Sequence, residues 1–348
     1  MKRLIAFVLF ACLMLCSAAC AESFVYTQES VTDSANTQSL YDAFYASGEL
    51  SVLVPGLKQT FVPQGLSYLP EKNWMIIAGY SSDENVNSVI FAVDLASGEM
   101  VREVMLQYAD GSGYCGHAGG VAVTEKNIFI ANDAHLYRIS LEKFLSLPAS
   151  AFCAFDEEIP VPSRASYCGY SDGVLWVGEF QYDPSYKTDR THWYKNEDGR
   201  HKAWLIGYVT DPLQENELSA SAFADGTAVP DYVISTTERI QGMTMRDGQI
   251  YLSQSYGRRS ASTMLRYQNV LDSEPLEYVD VNGRSVPLWC LNSTVRTGAL
   301  MMPPASECLV TVDGKIYVMF ETAAQKYMDP KHPSANPVDR LFCMKGFE

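Results

Sequence analysis

The residues of this chain best suited to chemistry stand at the ends of short apolar runs. His117 lies in Tyr114-Cys-Gly-His-Ala-Gly-Gly120, where glycines let the backbone approach a ligand. An imidazole titrates near neutral pH and can act as a general base, with Asp133 or a metal-bound water beside it. Glu307 opens one apolar run, while Asn132, Asp133, Glu179 and Glu321 close others. Hard oxygen donors of this kind suit Ca2+ better than a soft metal. Arg258 and Arg259, in Ser255-Tyr-Gly-Arg-Arg259, and Lys326, in Ala323-Ala-Gln-Lys-Tyr327, can clamp a carboxylate or phosphate. The catalytic candidates are therefore His117, Asp133 and Glu307, and the metal candidates Asn132, Glu179 and Glu321. Ligand-binding candidates are Gln64, Tyr80, Ser166, Gln241, Gln254, Ser255, Arg258 and Lys326. Each has a plainer role too: a histidine bonded to a carbonyl, solvated strand ends, arginines paired with nearby acids.

Several chemistries are disfavoured. The G-x-S-x-G at 169–173 ends in the tight Asp172-Gly turn between two strands, and the Gly-Ser-Gly at 111–113 also reads as a turn, so neither is a nucleophile elbow. G-x-x-x-x-G-K-[ST] does not occur, and the G-x-G-x-x-G at 111–116 falls in that same turn region rather than between a strand and a helix, so no nucleotide cofactor is expected. Without a C-x-x-C, a structural zinc site is not expected either, and calcium rests on topology because no D-x-D-x-D-G loop is present.

The elements that must position these residues recur. Gln64-Gly-Leu-Ser-Tyr leads to Trp74–Tyr80, Gly119-Gly-Val-Ala-Val to Ile128–Asp133, and Ser166-Tyr-Cys-Gly-Tyr to Val174–Phe180. Gln241-Gly-Met-Thr-Met leads to Gln249–Ser255, and Glu307-Cys-Leu-Val-Thr-Val to Lys315–Glu321. Tight turns such as Asp172-Gly, Asp247-Gly and Asp313-Gly join the members of a pair. This recurrence predicts an all-β fold, a β-propeller of five four-stranded blades. The last repeat lacks a strand, and the unassigned run Leu50–Pro55 supplies one that closes the ring. The long connection from Glu179 to Gln241 is where a sixth blade would hide. For the fourth blade, Thr263–Tyr267 and Val286–Leu291 read as the outer strands. Ahead of the ring, Leu40, Tyr41, Phe44 and Tyr45 at helical spacing predict a short helix within an extension over residues 22–49, before a single propeller domain over 50–348.

Inner strands line a propeller's channel, and consecutive strands run antiparallel. Strand starts, second-strand ends and the loops after them therefore share one mouth. All the candidates above fall on that mouth. Gln64, Gly119, Ser166, Gln241 and Glu307 become one position seen five times. Tyr182, Tyr186, His192, Trp193 and Tyr194 crowd the longest insertion, where aromatic rings suit a sugar or aromatic ligand.

Met1-Lys-Arg3, the apolar stretch Leu4–Leu15 and small residues up to Ala21 read as an export signal over residues 1–21. A secreted or cell-envelope protein is expected, with a soluble product favoured over a lipid anchor at Cys20. No later run spans a bilayer. With 26 basic against 41 acidic residues and a net charge of −15, nucleic acid is an unfavourable partner. Beyond the leader, Cys115, Cys153, Cys168, Cys290, Cys308 and Cys343 sit largely in apolar runs, where free thiols are expected and pairing stays open.

Phe61-Val-Pro-Gln-Gly-Leu66 through Ala92-Val-Asp-Leu-Ala-Ser-Gly98 resembles blades of exported propellers of the YVTN and gluconolactonase-like (SMP-30) type. That resemblance implies one divalent cation at the channel, with Glu307, Asn132 and Asp133 as ligands, although the expected opening Glu is Gln64 here. Over one blade, Gln64-Gly-Leu66 after an aromatic is also similar to plant-type glutaminyl cyclases, whose later Glu-Gly motifs are not found. Two functions follow as expectations. One is a divalent-cation-dependent hydrolase or related enzyme acting on a small polar or anionic substrate. The other is a non-catalytic, monomeric propeller recognising a glycan, peptide or cell-surface partner.

Overall fold

The computed structural model describes residues 24–219 and 222–347. The leader expected over residues 1–21, with Cys20, lies outside them. Among the described residues no helix is long and apolar enough to cross a membrane.

Five blades surround a channel, as in a β-propeller. Blade 1 comprises Phe61–Leu69, Trp74–Ser81, Val89–Asp94 and Met100–Gln107. Blade 2 follows with Gly120–Val123, Asn127–Asn132, His135–Ser140 and Glu157–Pro160. Tyr167–Ser171, Val174–Gly178, Ala203–Val209 and Tyr232–Thr236 form blade 3, and Ile240–Arg246, Gln249–Gln254, Ser262–Gln268 and Arg296–Met302 form blade 4. Blade 5 takes Ser306–Val312, Lys315–Phe320 and Arg340–Met344 from the end of the chain and Gly48–Leu53 from its beginning. The closing strand is antiparallel, with Gly48 opposite Met344 and Leu53 opposite Arg340. Backbone bonds between the two ends of the chain thus replace two open sheet edges.

Two outer strands depart from expectation. Val286–Leu291 does not belong to blade 4: Arg284–Cys290 runs parallel to Tyr232–Thr236 on the edge of blade 3, with Val233 opposite Leu288. Leu288, Trp289 and Leu291 are buried there, so the most apolar run fills the core beside an existing blade. The true fourth strand, Arg296–Met302, is amphipathic and half exposed, as a sheet edge should be. Ser150–Ala154 extends blade 1 in the same parallel fashion. Between Glu179 and Gln241 the chain forms two outer strands of blade 3 and the small hairpins Tyr194–Asn196/Gly199–His201 and Phe223–Ala224/Thr227–Ala228, with no sixth blade among the described residues.

The expected helix is a 3-10 turn, Ser39–Tyr41, running into Asp42–Ala46. Tyr41 and Phe44 are buried, whereas Leu40 is 52% exposed and does not join the packed face. Phe44 packs on Phe342 at 4.1 Å between ring centroids and on Phe320 at 5.8 Å. Upstream, the extension is fastened by two buried carboxylates. Glu103 accepts from the Val25 and Tyr26 amides at 2.6 and 3.0 Å, and Asp339 accepts from the Val31 and Thr32 amides at 2.7 and 3.0 Å.

The inner strands explain the recurrent polar-Gly step. Those of blades 1, 4 and 5 open on an irregularity in the ladder: in blade 1 the pairing runs from Pro63–Gly79 to Gly65–Ala78, skipping Gln64. Blade 4 skips Gln241 in the same way, and blade 5 shifts register across Glu307. A bulge re-aims the side chain it carries, here into the mouth. The glycine that follows permits close contact between neighbouring inner strands. A Cβ on Gly65 would lie 2.4 Å from the Val121 nitrogen, and one on Gly242 would lie 2.6 Å from the Cys308 Cα. Backbone against backbone closes the channel below the polar residues. The mouth is a cup with a floor.

Candidate ligand-binding site at the channel mouth

The cup is a cavity of about 910 Å3. Gln64, Tyr80, His117, Asn132, Asp133, Ser166, Gln241, Arg258, Glu307, Glu321 and Lys326 all line it. Three other candidates lie elsewhere. Gln254 donates to the Glu238 carbonyl at 2.9 Å and faces a different groove. Ser255 is buried under blade 4 and accepts from the Ser262 hydroxyl at 2.9 Å. Glu179 is fully buried and faces away, its carboxylate occupied by the Arg164 and Trp204 amides at 3.1 and 3.0 Å and by His192 Nδ1 at 3.0 Å.

An acid pair forms the floor. Glu307, on the bulge of blade 5, is 2% exposed and accepts from Gln241 Nε2 at 3.1 Å. Glu321, at the end of the next strand, opens partly on the cavity and accepts from Gln64 Nε2 at 3.0 Å. Burial, and then the charge of Glu321, hold the Glu307 carboxyl well above the usual carboxylate range. For Glu321, enclosure pushes the pKa up to about 7, against the opposing pull of Gln64, Tyr327 and the Lys326 ammonium. Two enclosed carboxyls that resist double ionisation keep a proton between them near neutrality. Neutral amide donors can satisfy their oxygens without supplying a counter-charge.

The facing wall combines rings and cations. Tyr80 and His117 stack with centroids 4.5 Å apart, and the His117 amide donates to Asn132 Oδ1 at 3.2 Å. Chain packed around the imidazole, and then Lys326, lower its pKa to about 4, although one side of the ring is open to the cavity. His117 is neutral at physiological pH. Lys326 Nζ donates to the Tyr80 hydroxyl at 2.8 Å and lies 4.9 Å from the Tyr80 ring centre and 5.5 Å from that of Tyr327. Arg258 lies over the opposite neighbourhood of Tyr327, at 5.9 Å. Neither cation has an ion-pair partner among the described residues.

The sequence reading passed over Arg164 and Phe180 as cavity residues. Arg164 stands two residues before Ser166, and Phe180 directly follows Glu179; nearness to two aligned positions was the available signal. Phe180 meets Tyr186 at 5.3 Å and Tyr256 at 6.0 Å, and Tyr182 stacks on Tyr256 at 4.0 Å. Tyr182 and Tyr186 thus join this aromatic side, with Tyr186 on the cavity itself, while His192 stacks on Trp204 at 3.8 Å, away from the cavity.

Glu307 and Glu321 come together, but Glu179 is committed to His192, and among the described residues no three His, Cys, Asp or Glu side chains form a metal-binding group. The six described cysteines are free, with only Cys115 exposed.

Fold and cavity together define a five-bladed β-propeller with an acid pair at a closed-floor mouth. No family model matches the chain, and no curated protein does. Solved structures similar to it include a glutaminyl cyclase of Myxococcus xanthus, at 11% identity, 82% of this chain, 90% of that chain and a TM-score of 0.40. A GH43_1 enzyme of Xanthomonas citri is similar at 10% identity over 88% of this chain and 92% of its own, with a TM-score of 0.41. The RS223 β-xylosidase is similar at 13% identity over 78% and 88%, with a TM-score of 0.42.

Proposed function

We propose that this is an exported enzyme whose cup binds a small polar substrate bearing an anionic group and performs acid–base chemistry on it. The observation that carries the reading is the enclosed Glu307–Glu321 pair, poised over a cavity large enough for a small ligand. A carboxyl with a pKa near 7 is matched to proton transfer at neutral pH. In this reading Glu321, the member that opens on the cavity, gives its proton to an oxygen or nitrogen of the bound substrate. Enclosure keeps Glu321 protonated before substrate arrives, and Glu307, held by Gln241 and raised by the same burial, adds no charge that would draw the proton away. Arg258 and Lys326 take the anionic group, and the Tyr80–His117 stack and Phe180 flank the body of the ligand. His117 acts as a neutral wall and hydrogen-bonding group, not as the cationic acid.

The test is a panel of lactones, esters, glycosides and phosphoesters assayed with wild type, Glu321→Gln and Glu307→Gln. Turnover of one class, lost in Glu321→Gln with the fold intact, is the expected result. Activity that survives both substitutions would remove the acid–base assignment. The aromatic cluster of Phe180, Tyr182, Tyr186 and Tyr256 favours a second reading, recognition of a glycan or peptide without turnover. Array binding that depends on those rings but is indifferent to Glu321→Gln would select it.

A further inference from the structure

Between blades 3 and 4 lies a second groove of about 360 Å3, lined by Arg200, Arg239, Arg296, His201, Asp198 and Glu238 among others. Three arginines line this groove in a chain of net charge −15. None of them makes an ion pair among the described residues. The neighbouring carboxylates are engaged. Glu238 Oε1 lies 3.1 Å from Lys202 Nζ, and Asp198 accepts from the Ser293 amide at 2.6 Å and from the Ser293 hydroxyl through its other oxygen. Asp198 still feels Arg296, so the groove is left with an excess of positive charge rather than three isolated cations.

Two of the arginines are held in place. The Arg200 guanidinium lies over the Trp193 ring at 5.7 Å. Arg239 adopts a left-handed backbone, φ 65°, fixed by its amide donating to the Gln181 carbonyl at 3.0 Å and its carbonyl accepting from the Ser255 amide at 2.9 Å.

We infer that this groove binds a tetrahedral oxyanion, a phosphate or sulfate group, independently of the mouth cavity. Planar guanidinium forks match such oxygens two at a time. Calorimetric titration of the protein with inorganic phosphate, and separately with sulfate, in chloride buffers of matched ionic strength tests it. Saturable one-to-one binding of at least one of these anions is expected, at least tenfold weaker in the Arg200→Gln/Arg296→Gln double variant. Binding in Lys315→Gln, an exposed charge on blade 5, and in Glu321→Gln should stay within twofold of wild type. Arg296→Lys keeps the charge but loses the fork, and should bind several-fold more weakly even if the double variant does not fold. Absence of saturable binding of either anion, or equal affinity in wild type and a folded arginine variant, would overturn the assignment.

Discussion

Blades 1, 4 and 5 differ from blades 2 and 3 at one aligned position, and that difference makes the site. On the first three the bulge carries Gln64, Gln241 and Glu307, and two of those side chains hold the acid pair. On the other two the same position is Gly119 and Ser166, whose amides bond to the Ala131 and Gly178 carbonyls while little side chain enters the cup. Long groups fill one half of the ring and leave the other half as volume. A repeated backbone therefore yields a cavity with a reactive side and a receiving side, which five identical residues would have choked.

The first way to break this comparison is to attack the floor on which both halves rest. Gly65→Ala places a methyl against the Val121 backbone, which cannot swing aside as a side chain can. A loss of about 3 kcal/mol is expected, read as a lower urea midpoint with an unchanged slope. Gly169→Ala, further along the blade 3 inner strand, meets the Met243 carbonyl at 3.3 Å and a flexible sulfur at 3.5 Å. Its cost should be about 1 kcal/mol. Equal losses at the two positions would mean that the backbone contact at Gly65 is not what holds the floor.

On the reactive side, Glu321→Gln keeps the shape of the carboxyl and removes its proton chemistry. Turnover should fall by about 10^2-fold or more, with KM changed far less, as measured by steady-state kinetics on the substrate class that the panel identifies.

The same pair gives stability a distinctive pH dependence. Both folded-state pKa values are raised, so between the ordinary Glu value of 4.5 and about 7 the native state binds more protons than the unfolded one. Stability must then fall as pH rises through that window. His117 works in the opposite sense: its pKa drops from 6.5 to about 4, so its contribution to stability is lost as pH falls from 6.5 through 4. Urea midpoints measured from pH 4 to 8 should show the decline above pH 5 in wild type, flattened in Glu307→Gln. A decline of unchanged steepness in that variant would place its origin outside the acid pair.

How much of this was legible in the sequence follows from what each feature depends on. Gln64, Gly119, Ser166, Gln241 and Glu307 could be aligned because strand length and turn position are local, and each lies a fixed count before the turn that follows. Ring closure was legible for a similar reason: one strand was missing at one end and one was spare at the other. The acid pair was partly legible, since Ser306 lies opposite Phe320 in one hairpin, but the amide that holds Glu321 was not. Gln64 meets Glu321 only because the ring closes, and no local pattern reports a contact between the first blade and the last. Glu179 shows the converse. Its place at a strand end suggested a ligand, but the insertion returns His192 onto it, a partner chosen by the path of a loop. Outer strands misled in a third way. Apolarity picked Val286–Leu291, whereas an edge strand needs one polar face, and Arg296–Met302 has it.

The finest test concerns the receiving half, at Ser166. Its backbone lies directly before the blade 3 inner strand, its amide is bonded to the Gly178 carbonyl, and its side chain lines the cavity. Ser166→Gln therefore grafts onto blade 3 the side chain that blade 1 carries at the same place, with no new demand on the ladder. If the empty half is where substrate lies, the added amide should raise KM about tenfold and leave kcat near wild type, because it displaces ground-state binding without touching Glu307 or Glu321. Ser166→Ala removes only a hydroxyl that has no side-chain hydrogen bond among the described residues, and should change KM by less than about twofold. A loss of kcat in Ser166→Gln with KM unchanged would mean that blade 3 helps set the chemistry. The division of the ring into a reactive and a receiving half would then have to be redrawn.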